Sequence, residues 1–179
     1  IEAGHGIVPT SSTIMQLCLG DALSISLMKQ KKFEKLDFKN FHPAGNLGNQ
    51  LKTVEDLMLT HKKIPFVNEN TNMKDALRLI LSKRLGLLII TSNNGYTKGI
   101  FTDGDIKRLV KKNHNFYNLK IKEIMNKNPI SIEKNTLAAK ALLIMNEKKI
   151  TSLCVHKSKN KKKTIGVLHI HNILEANIN

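Results

Sequence analysis

Two stretches of this chain repeat each other, and a repeat constrains the fold more than any single motif. Val54-Glu55-Asp56-Leu57-Met58 resembles Ile121-Lys122-Glu123-Ile124-Met125, 67 positions later. Asp75-Ala76-Leu77 is echoed by Lys140-Ala141-Leu142 at an offset of 65, and Gly99-Ile100-Phe101 by Gly166-Val167-Leu168 at 67. Three matches in one order at a nearly constant offset imply two copies of a unit of about 60 residues.

Each copy predicts the same elements. A short helix carries the Met58 or Met125 segment, and a brief strand follows over 64–67 or 130–132. A polar pair suited to a helix N-cap comes next, Asn70-Thr71 or Asn135-Thr136. The amphipathic helix after it sets Met73, Ala76, Leu77 and Ile80 on one face, matched by Leu137, Ala141, Leu142 and Met145. Two strands then form a hairpin. In the first copy these are Leu87–Thr91 and 97–101, turning at Asn93-Asn94-Gly95. In the second they are Ser152–His156 and 164–168, joined by a lysine-rich loop. A last helix closes each copy, over 105–111 and 170–176.

This β-α-β-β-α order resembles the CBS module, whose copies pair because one alone leaves an apolar sheet face uncovered. The resemblance covers about 51–179, with modules at 51–113 and 114–179, and implies an α/β fold built as a tandem pair. In such modules the corner from the glycine-led strand into the last helix often binds adenosine nucleotides. Here it reads Gly99-Ile100-Phe101-Thr102-Asp103-Gly104-Asp105. A helix N-terminus offers unpaired amides to a phosphate. Thr102 adds a hydroxyl donor, and the Asp105 carboxylate can accept from two ribose hydroxyls. The same residues can equally cap the helix. In the second copy His169 and Asn172 stand at the positions of Thr102 and Asp105, so the first copy is expected to dominate binding. Asn70 or Thr71 at the start of the central helix, and Glu123 at the start of copy two, are its candidate companions. His169 and His171, spaced as neighbours on one strand face, lack a nearby carboxylate or Cys, and no metal or cofactor is expected.

The net charge is +15, from 29 basic and 14 acidic residues. Nucleic acid is disfavoured as its partner because the lysines are spread along the chain and aromatics make up only 4%, leaving few rings for base stacking. The densest run, residues 157–163, reads as a solvated loop. No apolar run approaches the roughly 18 residues of a membrane span. Cys18 and Cys154 lie in apolar runs and are expected to be buried free thiols, consistent with a reducing cytoplasm.

The first fifty residues differ in kind. A helix over 12–29 carries apolar residues at Ile14, Leu17, Cys18, Ala22, Ile25 and Met28, with Gly20 permitting close packing. A short helix over 37–41 stops at His42-Pro43. With no strand before it, the first helix has nothing within the segment to cover its apolar stripe, and the chain reads as cut from something longer. Val8-Pro9-Thr10-Ser11-Ser12-Thr13, Leu19-Gly20-Asp21-Ala22-Leu23 and His42-Pro43-Ala44-Gly45-Asn46-Leu47-Gly48 resemble the end of the sugar-isomerase (SIS) domain of bacterial D-arabinose 5-phosphate isomerases. In that family the domain runs into a CBS pair containing the Gly-Ile-Phe-Thr-Asp-Gly-Asp stretch found at 99–105. Ala44 departs from the family's usual glycine.

The resemblance makes residues 1–50 the C-terminal remnant of that SIS domain. It implies a sugar-phosphate substrate, D-ribulose 5-phosphate or D-arabinose 5-phosphate, on the way to the sugar acid Kdo of lipopolysaccharide or capsule. It also implies a homotetramer, a nucleotide or nucleotide-sugar effector at the CBS pair, and His42 as the one catalytic position carried by this chain. A histidine there suits proton transfer near neutral pH, or a helix C-cap. The competing expectation is a non-catalytic CBS module whose N-terminal helix docks a partner.

Overall fold

The computed structural model of the protein describes residues 2–41, 45–112, 116–158 and 160–178. The expected catalytic His42, with Pro43 and Ala44, lies outside the described residues. The chain divides into two compact units, residues 1–48 and 49–179.

The first unit is helical. A single turn, α1 (Ala3–Gly6), leads into the twenty-residue α2 (Ser11–Gln30), then α3 (Lys35–Phe41) and the start of α4 (Gly45–Gln50). The Glu2 carboxylate accepts from the amides at the head of α2, those of Thr10, Ser11 and Ser12. The Ser12 side chain and those amides push its pKa down to about 2. The expected single apolar stripe on α2 is not what the helix shows. Met15, Leu19 and Leu23 are exposed as well as Ile14, Leu17 and Ile25, so the helix is apolar around its whole circumference. That is the pattern of a core helix rather than a surface one. Cys18, expected to be buried, is exposed on the same helix.

The second unit holds the two repeats. In the first, α5 (Val54–Leu57) precedes β1 (Phe66–Asn68), α6 (Met73–Lys83), β2 (Leu87–Thr91), β3 (Thr97–Thr102) and α7 (Asp103–Lys112). In the second, α8 (Ile121–Ile124) precedes β4 (Ser131–Glu133), α9 (Ala138–Lys148), β5 (Ser152–His156), β6 (Gly166–His169) and α10 (Ile170–Glu175). Each repeat forms a three-stranded mixed sheet, β1-β2-β3 and β4-β5-β6, with the first pair parallel and the second antiparallel. The central helices start at Met73 and Ala138, with their N-caps at Asn72 and Leu137, one residue beyond the expected polar pairs. The polar pairs before them are spent on turns instead: Thr71 donates to the Asn68 carbonyl and Thr136 to that of Glu133.

Strand β2 shows why two repeats are needed. Its four residues Leu87 to Ile90 are all buried, which requires cover on both faces. Leu88 and Ile90 pack toward Met73, Ala76 and Ile80 of α6. Leu87 and Ile89 face the other way, into a cluster shared with Cys154 and Val167 of the second sheet.

The short leading helices are exchanged between the repeats. Val54, Leu57 and Met58 belong to the apolar cluster of the second repeat, with Ala141, Met145, Leu153 and Leu168. Ile121, Ile124 and Met125 belong to that of the first. Backbone pairing fixes both exchanges: Leu59 bonds reciprocally with Val167 at 2.8 and 3.0 Å, and Asn126 with Ile100 at 2.9 Å in each direction.

Candidate ligand-binding site

A cavity of about 430 Å³ lies between the repeats, within the size range of small-molecule sites. Four corners of chain meet there. From the first repeat come the α6–β2 corner (Leu85, Gly86, Leu87) and the β3–α7 corner (Thr102, Asp103, Gly104, Asp105), with Arg108 one turn along α7. From the second come the α9–β5 corner (Lys149, Ile150, Thr151, Ser152) and His169 at the end of β6. Asn126 and Ile130 close one side. The register shows the symmetry: Leu87 lies opposite Thr102 in the first sheet, and Ser152 opposite His169 in the second.

Gly86 makes the first of these corners possible. It takes φ +64°, and a Cβ there would fall 2.8 Å from an Asp103 carboxylate oxygen.

Thr102 and Asp105 form a closed network at the head of α7. The Asp105 Oδ2 accepts from the Thr102 hydroxyl at 2.7 Å and its amide at 2.9 Å, while Oδ1 accepts from the Arg108 guanidinium. Partial burial raises the carboxyl's pKa, but Thr102 and Arg108 outweigh it and hold Asp105 below the usual carboxylate range. The helix-capping role allowed by the sequence is therefore realised. The Thr102 proton points at Asp105, so donating it to a phosphate means giving up that bond.

The second-repeat corner has the same geometry with different chemistry. The His169 amide donates to Asn172 Oδ1 at 3.3 Å, and the His169 Nδ1 accepts from the His171 amide at 3.3 Å. The two imidazoles stack with centroids 4.9 Å apart. Burial, then the nearby His171, pushes the His169 pKa down. His171 sits in the first turn of α10, not on the strand with His169 as the spacing suggested. Among the described residues no group of three His, Cys, Asp or Glu is placed to hold a metal ion.

The other expected companions do not line this cavity. Asn68 pairs with Thr91 at one end of β2 and Thr102 with Leu87 at the other, so the Asn70-Thr71 turn lies about 13 Å along the sheet from the corner. There Asn70 accepts from Lys122 at 3.1 Å, and Glu123 caps its own short helix through the Lys120 amide. The residues that sequence reasoning missed are Arg108, Asn126, Lys149, Thr151 and Ser152. The sequence carries no signal for the last three, which stand at the places of Arg84, Gly86 and Leu87 in the first repeat and share no residue type with them.

The family model for the CBS domain matches residues 54–112 and 121–179, the two repeats. The chain belongs to the CBS-domain family. The CBS pair is similar to several solved structures: an uncharacterised conserved protein from Pyrococcus horikoshii (26% identity, TM-score 0.60, covering 71% of this chain and 92% of that one), and CBSX2 in complex with AMP (24%, 0.59, covering 70% and 95%). The CBS pair of MJ0100, solved with 5′-methylthioadenosine and S-adenosyl-L-methionine, shares the fold at 19% identity and a TM-score of 0.61, covering 69% and 94%. Among curated proteins, arabinose 5-phosphate isomerase KdsD of Yersinia pestis is 38% identical over 174 residues, and that of Escherichia coli is 37% identical over the same length. These alignments cover 97% of this chain and 52% of each isomerase, so the chain spans about half the length of the curated relatives it matches. No helix among the described residues is long and apolar enough to cross a membrane.

Proposed function

We propose that the chain is the regulatory part of an arabinose 5-phosphate isomerase, and that its CBS pair binds an adenine nucleotide or a nucleotide sugar in the cleft between the repeats. One observation carries the effector reading: the cleft joins an apolar lining, from Leu85, Leu87, Ile100, Ile130 and Ile150, to cations and hydroxyls at Arg108, Lys149, Thr102, Thr151 and Ser152. A flat base fits the first set and a sugar phosphate the second. Asp105 offers its carboxylate to the ribose hydroxyls once Arg108 swings away. Relatives of the same fold were solved with AMP and with S-adenosyl-L-methionine.

The isomerase reading is supported by identity of 37–38% along 97% of the chain. On it, residues 1–50 end a sugar-isomerase domain, and α2, apolar all round, is one of its core helices. Residues 51–113 and 114–179 are then the two CBS modules. Interconverting D-ribulose 5-phosphate and D-arabinose 5-phosphate requires a proton to move between C1 and C2 and the ring to open, and His42 is the group of this chain assigned to that proton traffic. The whole enzyme is a cytoplasmic homotetramer on this reading.

Calorimetric titration of the protein with AMP, S-adenosyl-L-methionine and CMP-Kdo tests the effector site. At least one should bind, and Asp105→Asn should weaken it by roughly tenfold or more, the size of a lost hydrogen bond to a charged group. Flat titrations with all three would rule the site out.

A further inference from the structure

The two walls of the cleft differ in charge. The first-repeat wall carries two carboxylates, Asp103 and Asp105, and its one cation, Arg108, is already bonded to Asp105. Its hydroxyl, Thr102, donates to the same carboxylate. A phosphate placed there would meet negative charge and occupied donors. The second-repeat wall presents Lys149, Thr151, Ser152 and His169, with no carboxylate among its lining residues. The Lys149 ammonium and the Thr151 and Ser152 hydroxyls have no side-chain partner among the described residues. Both repeats end the central helix on a basic residue with left-handed backbone, Arg84 at φ 54° and Lys149 at φ 52°, yet it is Lys149 that lines the cavity.

His169 adds a titratable donor to this wall. Its Nδ1 accepts from the His171 amide, which leaves the neutral ring's proton on Nε2. A second proton would go to Nδ1 and break that cap beside the stacked His171 ring, so the cap and the stacking favour the neutral form. The charged groups around it are Lys149 on the same wall, which opposes protonation, Asp103 and Asp105 on the opposite wall, which favour it, and Arg108, whose charge is spent on Asp105. An anion on the second wall tips this balance toward imidazolium.

We propose that the phosphate of the bound ligand sits on the second-repeat wall, against Lys149, Thr151, Ser152 and His169, and that its arrival draws a proton onto His169. The inference rests on the reading of the cleft as a nucleotide site. It reverses the expectation that the first-repeat corner, with its Thr-x-x-Asp pattern, takes the phosphate. That corner keeps the ribose.

The test is titration calorimetry at pH 7 with AMP, adenosine and inorganic phosphate, each in two buffers of different ionisation heat, so that protons taken up are counted. AMP should bind at least about tenfold more tightly than adenosine. Lys149→Met should cost about tenfold for AMP and leave adenosine unchanged, with Lys149→Arg restoring most of the loss. His169→Asn keeps a capping oxygen and should lower the proton count on AMP binding relative to the native protein. Unchanged AMP affinity in Lys149→Met, or an unchanged proton count in His169→Asn, overturns the assignment while leaving the cleft a nucleotide site. Failure of both AMP and adenosine to bind removes the site and this inference with it. Inorganic phosphate binding with adenosine inert would keep the phosphate subsite and discard the base. Thermal unfolding of each variant establishes that it is folded.

Discussion

A methyl group at position 99 would lie 2.6 Å from the Asn126 carbonyl oxygen and 2.8 Å from the Met125 sulfur. The same crowding recurs at Gly166, where Met58 and the Leu59 carbonyl close in from the other repeat. These glycines are required by close approach, since neither has a positive φ. Gly99→Ala forces the backbone of 125–126 outward, and we expect a loss of about 1–3 kcal/mol in urea denaturation with an unchanged m-value. The repetition of Gly99 and Gly166 is visible in the sequence. What presses on them is not, because Asn126 and Leu59 arrive from the opposite copy. Thr102 and Asp105 were likewise readable as a pair, but a linear pattern cannot tell a cap from a ligand contact. The structure shows the capping bonds made and the same two residues facing the cavity.

At the scale of elements, the exchange of the short helices decides where a mutation is felt. Val54 belongs to the first repeat by sequence and is fully buried in the core of the second. Val54→Ala should cost about 1–3 kcal/mol through the cavity it leaves. In native-state hydrogen exchange the loss of protection should be largest in α9 and β5. Loss confined to α6 and β2 would contradict the exchange. The strands and central helices were legible because their burial follows a simple period: β2 is apolar on both faces, and α6 carries Met73, Ala76 and Ile80 along one side. The exchange was not legible, since a four-residue helix such as Ile121-Lys122-Glu123-Ile124 presents the same apolar residues to either core. The N-terminal helix misled for a related reason. Its apolar residues contain a helical stripe as a subset, although Met15, Leu19 and Leu23 extend the apolar surface all the way round.

For the whole molecule, a net charge of +15 surrounds a cleft whose second wall carries Lys149. Long-range attraction then adds to AMP affinity and is screened by salt. Raising sodium chloride from about 50 to about 500 mM should weaken AMP several-fold and leave neutral adenosine nearly unaffected; equal sensitivity of the two in calorimetry would show that the surrounding charge plays no part. The cleft itself was beyond sequence reading. It exists only after two strand-to-helix corners 67 residues apart meet. Lys149, Thr151 and Ser152 align with Arg84, Gly86 and Leu87, so no shared motif marks them. The exchanged helices carry one further implication, historical rather than energetic. A protein made of one such repeat would have lent its leading helix to a second copy of itself and borrowed that copy's in return. Its dimer would have been symmetric, with identical walls on either side of the cleft. With both copies in one chain the two corners are free to differ, as His169 and Asn172 differ from Thr102 and Asp105, and a two-fold pocket acquires a direction.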